Sequence, residues 1–230
     1  ERHPPMANHT TTRERILEAS LKLFNEKGYA ATPVSEIAKA AGIATGNLTY
    51  HFATKRELAE ALEKKTRRRH REYRSSLETG AIANDYVEVL RFSMIMSWEN
   101  RFLLRDHAQF RGDKQARLPD RDMVEDVHML EDFLKRMRKE GMLRKDLQVE
   151  LKVLARSLFV LTRFWMDHLR EIEGLEQVSW EDQERGIQHH FAVLSPCLTA
   201  AARREFESAL IRLASRQAIQ DDEERNDNER

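Results

Sequence analysis

The chain has 230 residues, of which 40% are hydrophobic and 34% charged, so it is long enough to bury a core in one large or two modest domains. Its 8 glycines and 5 prolines are few, which excludes collagen-like and Pro/Gly-rich disordered chains and favours helices. The single cysteine, Cys197, excludes an intramolecular disulfide, so a cytoplasmic location is expected. The most apolar stretch, residues 151–169, is interrupted by charged side chains and predicts no membrane span.

Charge is balanced overall but unevenly distributed. Residues 1–74 contain 15 Lys/Arg and 9 Asp/Glu, whereas the remainder contains 24 and 30. A basic region beside an acidic one is typical of a protein that meets a polyanion such as nucleic acid at one end. Such charge runs are also common on ordinary solvated surfaces, and the charge pattern alone does not separate the two interpretations.

Glycines and prolines fall where helices could end, and the segments between them have helical periodicity, which predicts an all-α fold. Thr11 and Glu14 have the spacing of a capping box before the first helix, and Thr32 with Pro33 predicts the start of the second. A loop is expected at residues 111–119. The predicted helices cover residues 12–27, 33–41, 45–52, 55–79, 85–105, 122–140, 147–171, 180–194 and 196–218.

Two short helices around one glycine, within residues 33–52, have helix-turn-helix spacing. Ile37 and Leu48 are expected to face inward, and Gly42 permits the sharp turn between the helices. The outer face of the second helix then carries polar groups that suit base edges and phosphates, namely Thr45, Asn47, Thr49, Tyr50 and His51. An ordinary helical hairpin with a polar face is the alternative.

The segment from Thr12 to Leu62 resembles the N-terminal domain of the TetR/AcrR family of transcriptional regulators. The resemblance is carried by a continuous stretch of the sequence, GYAATPVSEIAKAAGIATGNLTYHFATKREL. It implies an all-α protein with an N-terminal three-helix helix-turn-helix DNA-binding domain and a larger C-terminal helical domain for dimerisation and ligand binding.

The resemblance also implies roles for individual residues. Base edges would be met by Thr45, Gly46, Asn47 and Thr49, the DNA backbone by Tyr50, His51 and Lys55, and phosphates by Thr32 and Ser35. Thr49 departs from the family pattern, because many members have a second tyrosine there. Two alternatives stay open: Tyr50 packing on the fourth helix as a structural aromatic, and His51 serving only as a cap.

The resemblance divides the chain into consecutive parts. Residues 1–10 are expected to be disordered or left over from an expression vector, and residues 220–230 to form a solvated tail without apolar side chains. Residues 11–54 form the DNA-binding domain with its motif at 33–52, residues 55–79 the connecting helix, and residues 80–219 the dimerisation and effector domain. A basic run on the connecting helix is either solvated surface or a source of long-range attraction for DNA: Lys64, Lys65, Arg67, Arg68, Arg69 and Arg71.

Two long apolar helices in the C-terminal part favour a homodimer that places two reading helices about 34 Å apart, on a pseudo-palindromic operator. A monomeric bundle is the alternative. The candidate interface residues are Leu158, Trp165, Leu169, Phe206, Leu210 and Leu213. The candidate pocket for a small apolar or amphipathic effector, which could equally be ordinary core, comprises Trp98, Phe102, Phe133, Phe159, Arg163 and Phe164.

The sequence contains no zinc motif, phosphate-binding loop or catalytic triad pattern, so no cofactor, metal site or enzymatic activity is expected. The resemblance implies a sequence-specific, homodimeric repressor that a small-molecule effector releases from its operator. An interaction protein of the same fold, acting through a protein partner with DNA as a tether, is the alternative.

Overall fold

The structure, a computed structural model, describes residues 11–76, 80–110 and 121–228, so the expected N-terminal segment 1–10 and loop 111–119 lie outside the described residues. Within the described residues the regular elements are helices, with one isolated antiparallel bridge and no strand. The helices are α1 (Thr12–Lys27), α2 (Val34–Ala40), α3 (Thr45–His51), α4 (Lys55–Ser76), α5 (Ile82–Glu99), α6 (Arg101–Arg105), α7 (His107–Phe110), α8 (Arg121–Lys139), α9 (Leu151–Arg163), α10 (Trp165–Glu171), α11 (Trp180–Leu194) and α12 (Ala200–Asn228).

The described residues group into two compact units. The first contains residues 11–69 and 99–110, and the second contains residues 70–76, 80–98 and 121–228. Residues 99–110 therefore group with the N-terminal helices, although the sequence places them in the C-terminal domain. The predicted all-α fold, with an N-terminal helix-turn-helix and a larger helical C-terminal part, is confirmed.

The first unit is organised around the buried face of α1. The predicted capping box is present: Thr11 Oγ1 accepts a hydrogen bond from the Glu14 N–H at 3.2 Å, and the Glu14 carboxylate accepts one from the Thr11 N–H at 2.8 Å. The apolar core of this unit includes Ile16, Leu17, Phe24, Ile37, Leu48, Phe52, Leu58, Leu62, Phe102 and Phe110.

The helix predicted for residues 85–105 is interrupted at Asn100, which separates α5 from α6. The side chain of Asn25 forms hydrogen bonds with the backbone on both sides of the interruption. Its Nδ2 donates to the Glu99 carbonyl at 2.7 Å, and its Oδ1 accepts from the Phe102 N–H at 3.1 Å. Because these two backbone groups lack intrahelical partners at the break, an asparagine distant in sequence stabilises an interruption that local propensity does not predict.

The second unit buries a polar network within its apolar core. Tyr86 Oη lies 2.7 Å from His190 Nε2, and Thr162 Oγ1 lies 3.0 Å from His190 Nδ1. Thr162 Oγ1 donates its single hydrogen to the Leu158 carbonyl at 3.0 Å, so the arrangement that satisfies every group has Nδ1–H donating to Thr162 and Tyr86 donating to Nε2. Burial lowers the pKa of His190 from 6.5 to about 3, so the imidazole is neutral.

The helix predicted for residues 147–171 is divided into α9 and α10 just after the same threonine. The Thr162 hydroxyl bonds back to the carbonyl four residues earlier, a contact that bends helices, and α9 ends at Arg163. Phe164 has φ −104° and ψ 12°, outside the helical range, before α10 begins. Hydrophobic periodicity alone does not reveal this division, because Trp165 and Leu169 continue the apolar spacing of α9.

Two predicted helix starts are too early, since α9 begins at Leu151 instead of residue 147 and α12 begins at Ala200 instead of residue 196. The Arg144 N–H donates to the Cys197 carbonyl at 2.9 Å, and the Thr199 N–H donates to the Met142 carbonyl at 2.8 Å. This pairing holds residues 197–199 outside α12, which begins at Ala200. The last helix continues to Asn228, beyond the predicted end at 218. Among the described residues, none of the helices combines the length and apolar character needed to cross a membrane.

Candidate nucleic-acid interface

Helices α2 and α3 form the predicted helix-turn-helix. Gly42 has φ +68°, a left-handed conformation that glycine adopts without steric cost. The Ile43 N–H donates to the Ala38 carbonyl at 3.0 Å and the Gly42 N–H donates to the Lys39 carbonyl at 3.1 Å, which closes the end of α2. Leu48 is fully buried and anchors α3 in the core of the unit. The opposite face of α3 is thereby held outward.

That outward face carries the side chains predicted to read DNA. Thr45, Gly46, Asn47 and Thr49 are exposed, and Tyr50 is 86% exposed. The alternative in which Tyr50 packs on the fourth helix is therefore wrong. The Thr49 hydroxyl donates to the Gly46 carbonyl at 2.9 Å, which satisfies its hydrogen while leaving oxygen lone pairs free to accept.

His51 and Ser35 flank this face. His51 is half-buried, and its ring meets the Tyr50 ring edge-on with centroids 5.5 Å apart. Ser35 is exposed in the first turn of α2, where backbone N–H groups favour an anion. Both residues thus adjoin the exposed surface of the motif.

Thr32, predicted to lie near a phosphate, is fully buried instead. Its hydroxyl donates to the Gly28 carbonyl at 2.7 Å, so it points back toward α1 and does not cap α2. The N-cap of α2 is Pro33, and the helix begins at Val34. Because the hydroxyl is hydrogen-bonded within the turn between α1 and α2 and the side chain is buried, Thr32 cannot contact DNA.

Lys55, predicted to face the DNA backbone, also makes internal contacts. Its Nζ donates to the carbonyls of Tyr29, Ala30 and Thr32 at 2.8, 3.3 and 3.1 Å. The ammonium also lies 4.6 Å from the centroid of the Tyr29 ring. Partial burial lowers the pKa of Lys55 below its usual value.

The basic run of α4 is partly neutralised by ion pairs. Arg67 pairs with Glu63 at 2.7 Å, Arg69 with Glu99 at 2.6 Å, and Arg71 with Asp122 at 3.1 Å. Lys64 and Lys65 are exposed. Because these arginines already have carboxylate partners, the pairing favours the interpretation that this run is mostly solvated surface. It speaks against a strong long-range attraction for DNA.

The residues predicted to line one effector pocket are not brought together. Phe102 is buried in the first unit and Phe133 in the second, while Phe164 is 49% exposed. Trp98 is half-buried beside Trp180, with ring centroids 6.5 Å apart. Two further members, Phe159 and Arg163, are half-buried, and the Arg163 guanidinium lies 5.1 Å from the centroid of the Phe164 ring. Aromatic abundance therefore does not predict the lining of a cavity.

A cavity of about 600 Å³ does lie in the second unit, between the end of α4, the start of α5 and α8. Phe133 and Met129 form apolar parts of its lining, and the remaining walls are charged or polar: Arg71, Arg74, Ser75, Asp85, Glu125, His128, Asp132 and Arg136. Arg74 pairs there with Asp126 at 2.5 Å. The sequence does not predict this cavity, because its walls come from helices far apart in the chain.

The predicted interface residues are mostly core. Leu158, Trp165, Leu169 and Phe206 are buried within their own chain, and Leu210 and Leu213 are partly buried. A helix that is apolar all round does not reveal which face points inward. The exposed apolar side chains of α9 are instead Val153 and Val160, whose spacing of seven residues places them on one side of the helix, and exposed Phe164 follows directly after its last residue.

Comparison with known proteins gives the family. The family model described as bacterial regulatory proteins, tetR family, matches residues 16–62, and the model described as bacterial transcriptional repressor matches residues 55–206. The second match covers more than half of the chain. The chain belongs to the TetR family. The resemblance stated from the helix-turn-helix residues is thus confirmed.

Individual relatives match over short segments of the chain. A probable regulator of Bacillus subtilis, YttP, is 37% identical over 71 residues, which cover 31% of this chain and 33% of YttP. The repressor KstR2 of Mycobacterium tuberculosis is 44% identical over 50 residues, 22% of this chain and 25% of KstR2. The chain thus matches a third or less of the length of these relatives.

One solved structure extends the similarity to the whole fold. A TetR-family regulator from Marinobacter aquaeolei has a TM-score of 0.70 at 21% identity, over 86% of this chain and 96% of that chain. This likeness supports the fold of both units.

Proposed function

We propose that this TetR-family chain is a sequence-specific DNA-binding repressor that acts in the cytoplasm as a homodimer. The observation that carries the proposal is the outer face of α3, where Thr45, Asn47, Thr49 and Tyr50 are exposed on a helix whose inner face is fixed by Leu48. A short helix with such donors and acceptors fits the major groove, and exposed polar side chains reach base edges there.

The homodimer would form through α9. Val153 and Val160 on α9, with Phe164 just after it, are exposed apolar side chains on the surface of a single chain. Two copies related by a two-fold axis would cover these side chains mutually in a four-helix interface. Two reading helices about 34 Å apart would then match a pseudo-palindromic operator.

Release of the operator would follow from an effector bound in the C-terminal part. The charged cavity of about 600 Å³ between α4, α5 and α8 is a candidate site for it. Its apolar floor and guanidinium-bearing walls suit an amphipathic small molecule with a polar group. Such a ligand releases DNA only if it binds the DNA-free conformation more tightly than the DNA-bound one.

DNA reading is tested by fluorescence anisotropy on duplexes selected from a random library. The Asn47→Ala, Tyr50→Ala double variant should bind at least about 30-fold more weakly, because two groups of about 1–3 kcal/mol each are removed from the reading face. Its melting temperature should match that of the unchanged protein, because both side chains are exposed. Undiminished affinity of the double variant would reject α3 as the reading helix.

The dimer is tested by analytical ultracentrifugation of two matched variants. Phe164→Asp places a charge in the proposed interface and should yield monomers, whereas Val124→Asp, on an exposed position of α8, should leave the dimer intact. A Phe164→Asp protein that sediments as a dimer would exclude this face of α9.

A further inference from the structure

The turn between α1 and α2 is held by side chains from other parts of the first unit. Gly28 begins the turn with φ +93°. The Tyr29 N–H donates to the Asp106 carboxylate at 2.8 Å, and the Thr32 hydroxyl closes the turn by donating to the Gly28 carbonyl at 2.7 Å. The carbonyls of Tyr29, Ala30 and Thr32 all turn toward Lys55 at the start of α4.

This arrangement uses the whole hydrogen-bonding capacity of the lysine. An ammonium group has three N–H donors, and Lys55 has three carbonyl acceptors within 3.3 Å. A DNA phosphate could bind this ammonium only by displacing at least one of the three. The displaced carbonyl would then lack a partner in a partly buried turn, which opposes the exchange.

We propose that Lys55 is a positioning residue for DNA binding and not a phosphate contact. Its ammonium ties the turn at residues 28–32 to the first residue of α4, and this turn leads directly into α2. Because α3 packs on α2, the turn sets the angle at which the reading face is presented. This inference rests on the proposed DNA-binding function, but part of its test needs no DNA.

A compact ammonium suits this site better than a guanidinium. Three carbonyls converge on one nitrogen, whereas the planar guanidinium of arginine spreads its donors over three nitrogens. Arginine is, however, at least as good as lysine at binding phosphate. Lys55→Arg therefore separates the two roles, Lys55→Met removes the charge, and Lys64→Met removes an equivalent charge from an exposed position of α4.

The first measurement uses the unchanged protein, so it does not depend on the folding of a variant. Acetylation of lysines by a water-soluble amine reagent is followed by mass spectrometry with and without the selected duplex. Lys55 should react at least about tenfold more slowly than Lys64 in the free protein, since its nitrogen is occupied. The duplex should leave the Lys55 rate unchanged. Rapid reaction in the free protein with protection by DNA would overturn the proposal.

The second measurement compares the variants. Hydrogen exchange in residues 28–32 should be faster in both Lys55→Met and Lys55→Arg than in Lys64→Met, in the absence of DNA. Both Lys55 variants should bind the duplex at least several-fold more weakly at every salt concentration, with an unchanged slope of log Kd against log salt.

The opposite pattern identifies a phosphate contact. Lys55→Arg would then bind like the unchanged protein, and Lys55→Met would lower the salt slope by about 0.9 per subunit without altering exchange. If the unchanged protein selects no duplex, the proposed function fails, whereas slow acetylation and variant-dependent exchange would still establish the structural clamp.

Discussion

Removing one hydroxyl from the core of the second unit should cost far more stability than its size suggests. Tyr86 is fully buried, and its hydroxyl is the partner of His190 Nε2 at 2.7 Å. Tyr86→Phe preserves the ring, which contacts Phe133 and Phe206 edge-on at centroid distances of 5.3 and 5.6 Å. The substitution leaves the imidazole nitrogen buried without a donor.

The magnitude follows from the unpaired group. A buried acceptor left without its partner costs about 1–3 kcal/mol, and each kcal/mol lowers the melting temperature of a protein of this size by about 2–4 °C. The free energy of unfolding should be measured by urea denaturation at pH 7.5, monitored by circular dichroism. Tyr86→Phe should shift the midpoint with little change in slope.

Tyr73→Phe provides the matched control. Tyr73 is half-buried in the same unit and stacks on Phe92 with ring centroids 3.8 Å apart, a contact that phenylalanine preserves. We expect a change below about 0.5 kcal/mol for this variant. Equal effects of the two substitutions would refute the reasoning that the Tyr86 hydroxyl satisfies His190.

Two further predictions concern His190 and Gly186 of the same unit, with Gly46 of the first unit as a control. Burial lowers the pKa of His190 to about 3, so between pH 3 and 6.5 the unfolded chain binds one proton more than the folded chain. The neutral imidazole's contribution to the free energy of unfolding is therefore complete above pH 6.5. It is lost as the pH falls, by up to about 1.4 kcal/mol for each pH unit. Urea titrations from pH 7.5 to 4.5 should show this slope, and a His190→Gln variant should lack it. Gly186→Ala should destabilise the protein by about 1–3 kcal/mol, because a Cβ there would lie 2.6 Å from Met94 Cε and 2.8 Å from Trp165 Cδ1. Gly46→Ala, where a Cβ meets no atom within 4 Å, should be neutral or stabilising in thermal melts; equal losses at the two glycines would contradict the packing argument.

Helix ends with local signals could be predicted from the sequence, whereas breaks caused by distant partners could not. Thr11 and Glu14 act on their own backbone, so their spacing was sufficient to predict the start of α1. The backbone groups on both sides of Asn100 bond to Asn25, and Thr162, next to the end of α9, lies 3.0 Å from His190. These partners lie tens of residues away and have no periodic signature.

In the candidate site, too, features with a local sequence signal could be predicted and contacts with distant residues could not. The exposed face of α3 followed from its polar pattern opposite Leu48. Thr32 and Lys55 also have side chains that suit phosphate, but the structure directs both to carbonyls of the turn before α2. A sequence shows which groups can donate hydrogen bonds, but it does not show which acceptors the fold brings within reach.

The most direct test of the central claim is selection of bound sequences from a random duplex library by the purified protein, at two salt concentrations. We expect a motif of two half-sites related by a dyad, with centres about 34 Å apart, that persists at the higher salt. The Asn47→Ala, Tyr50→Ala variant should not recover this motif. Binding without any enriched motif, lost at moderate salt, would contradict the account and favour a protein of this fold that acts through a protein partner.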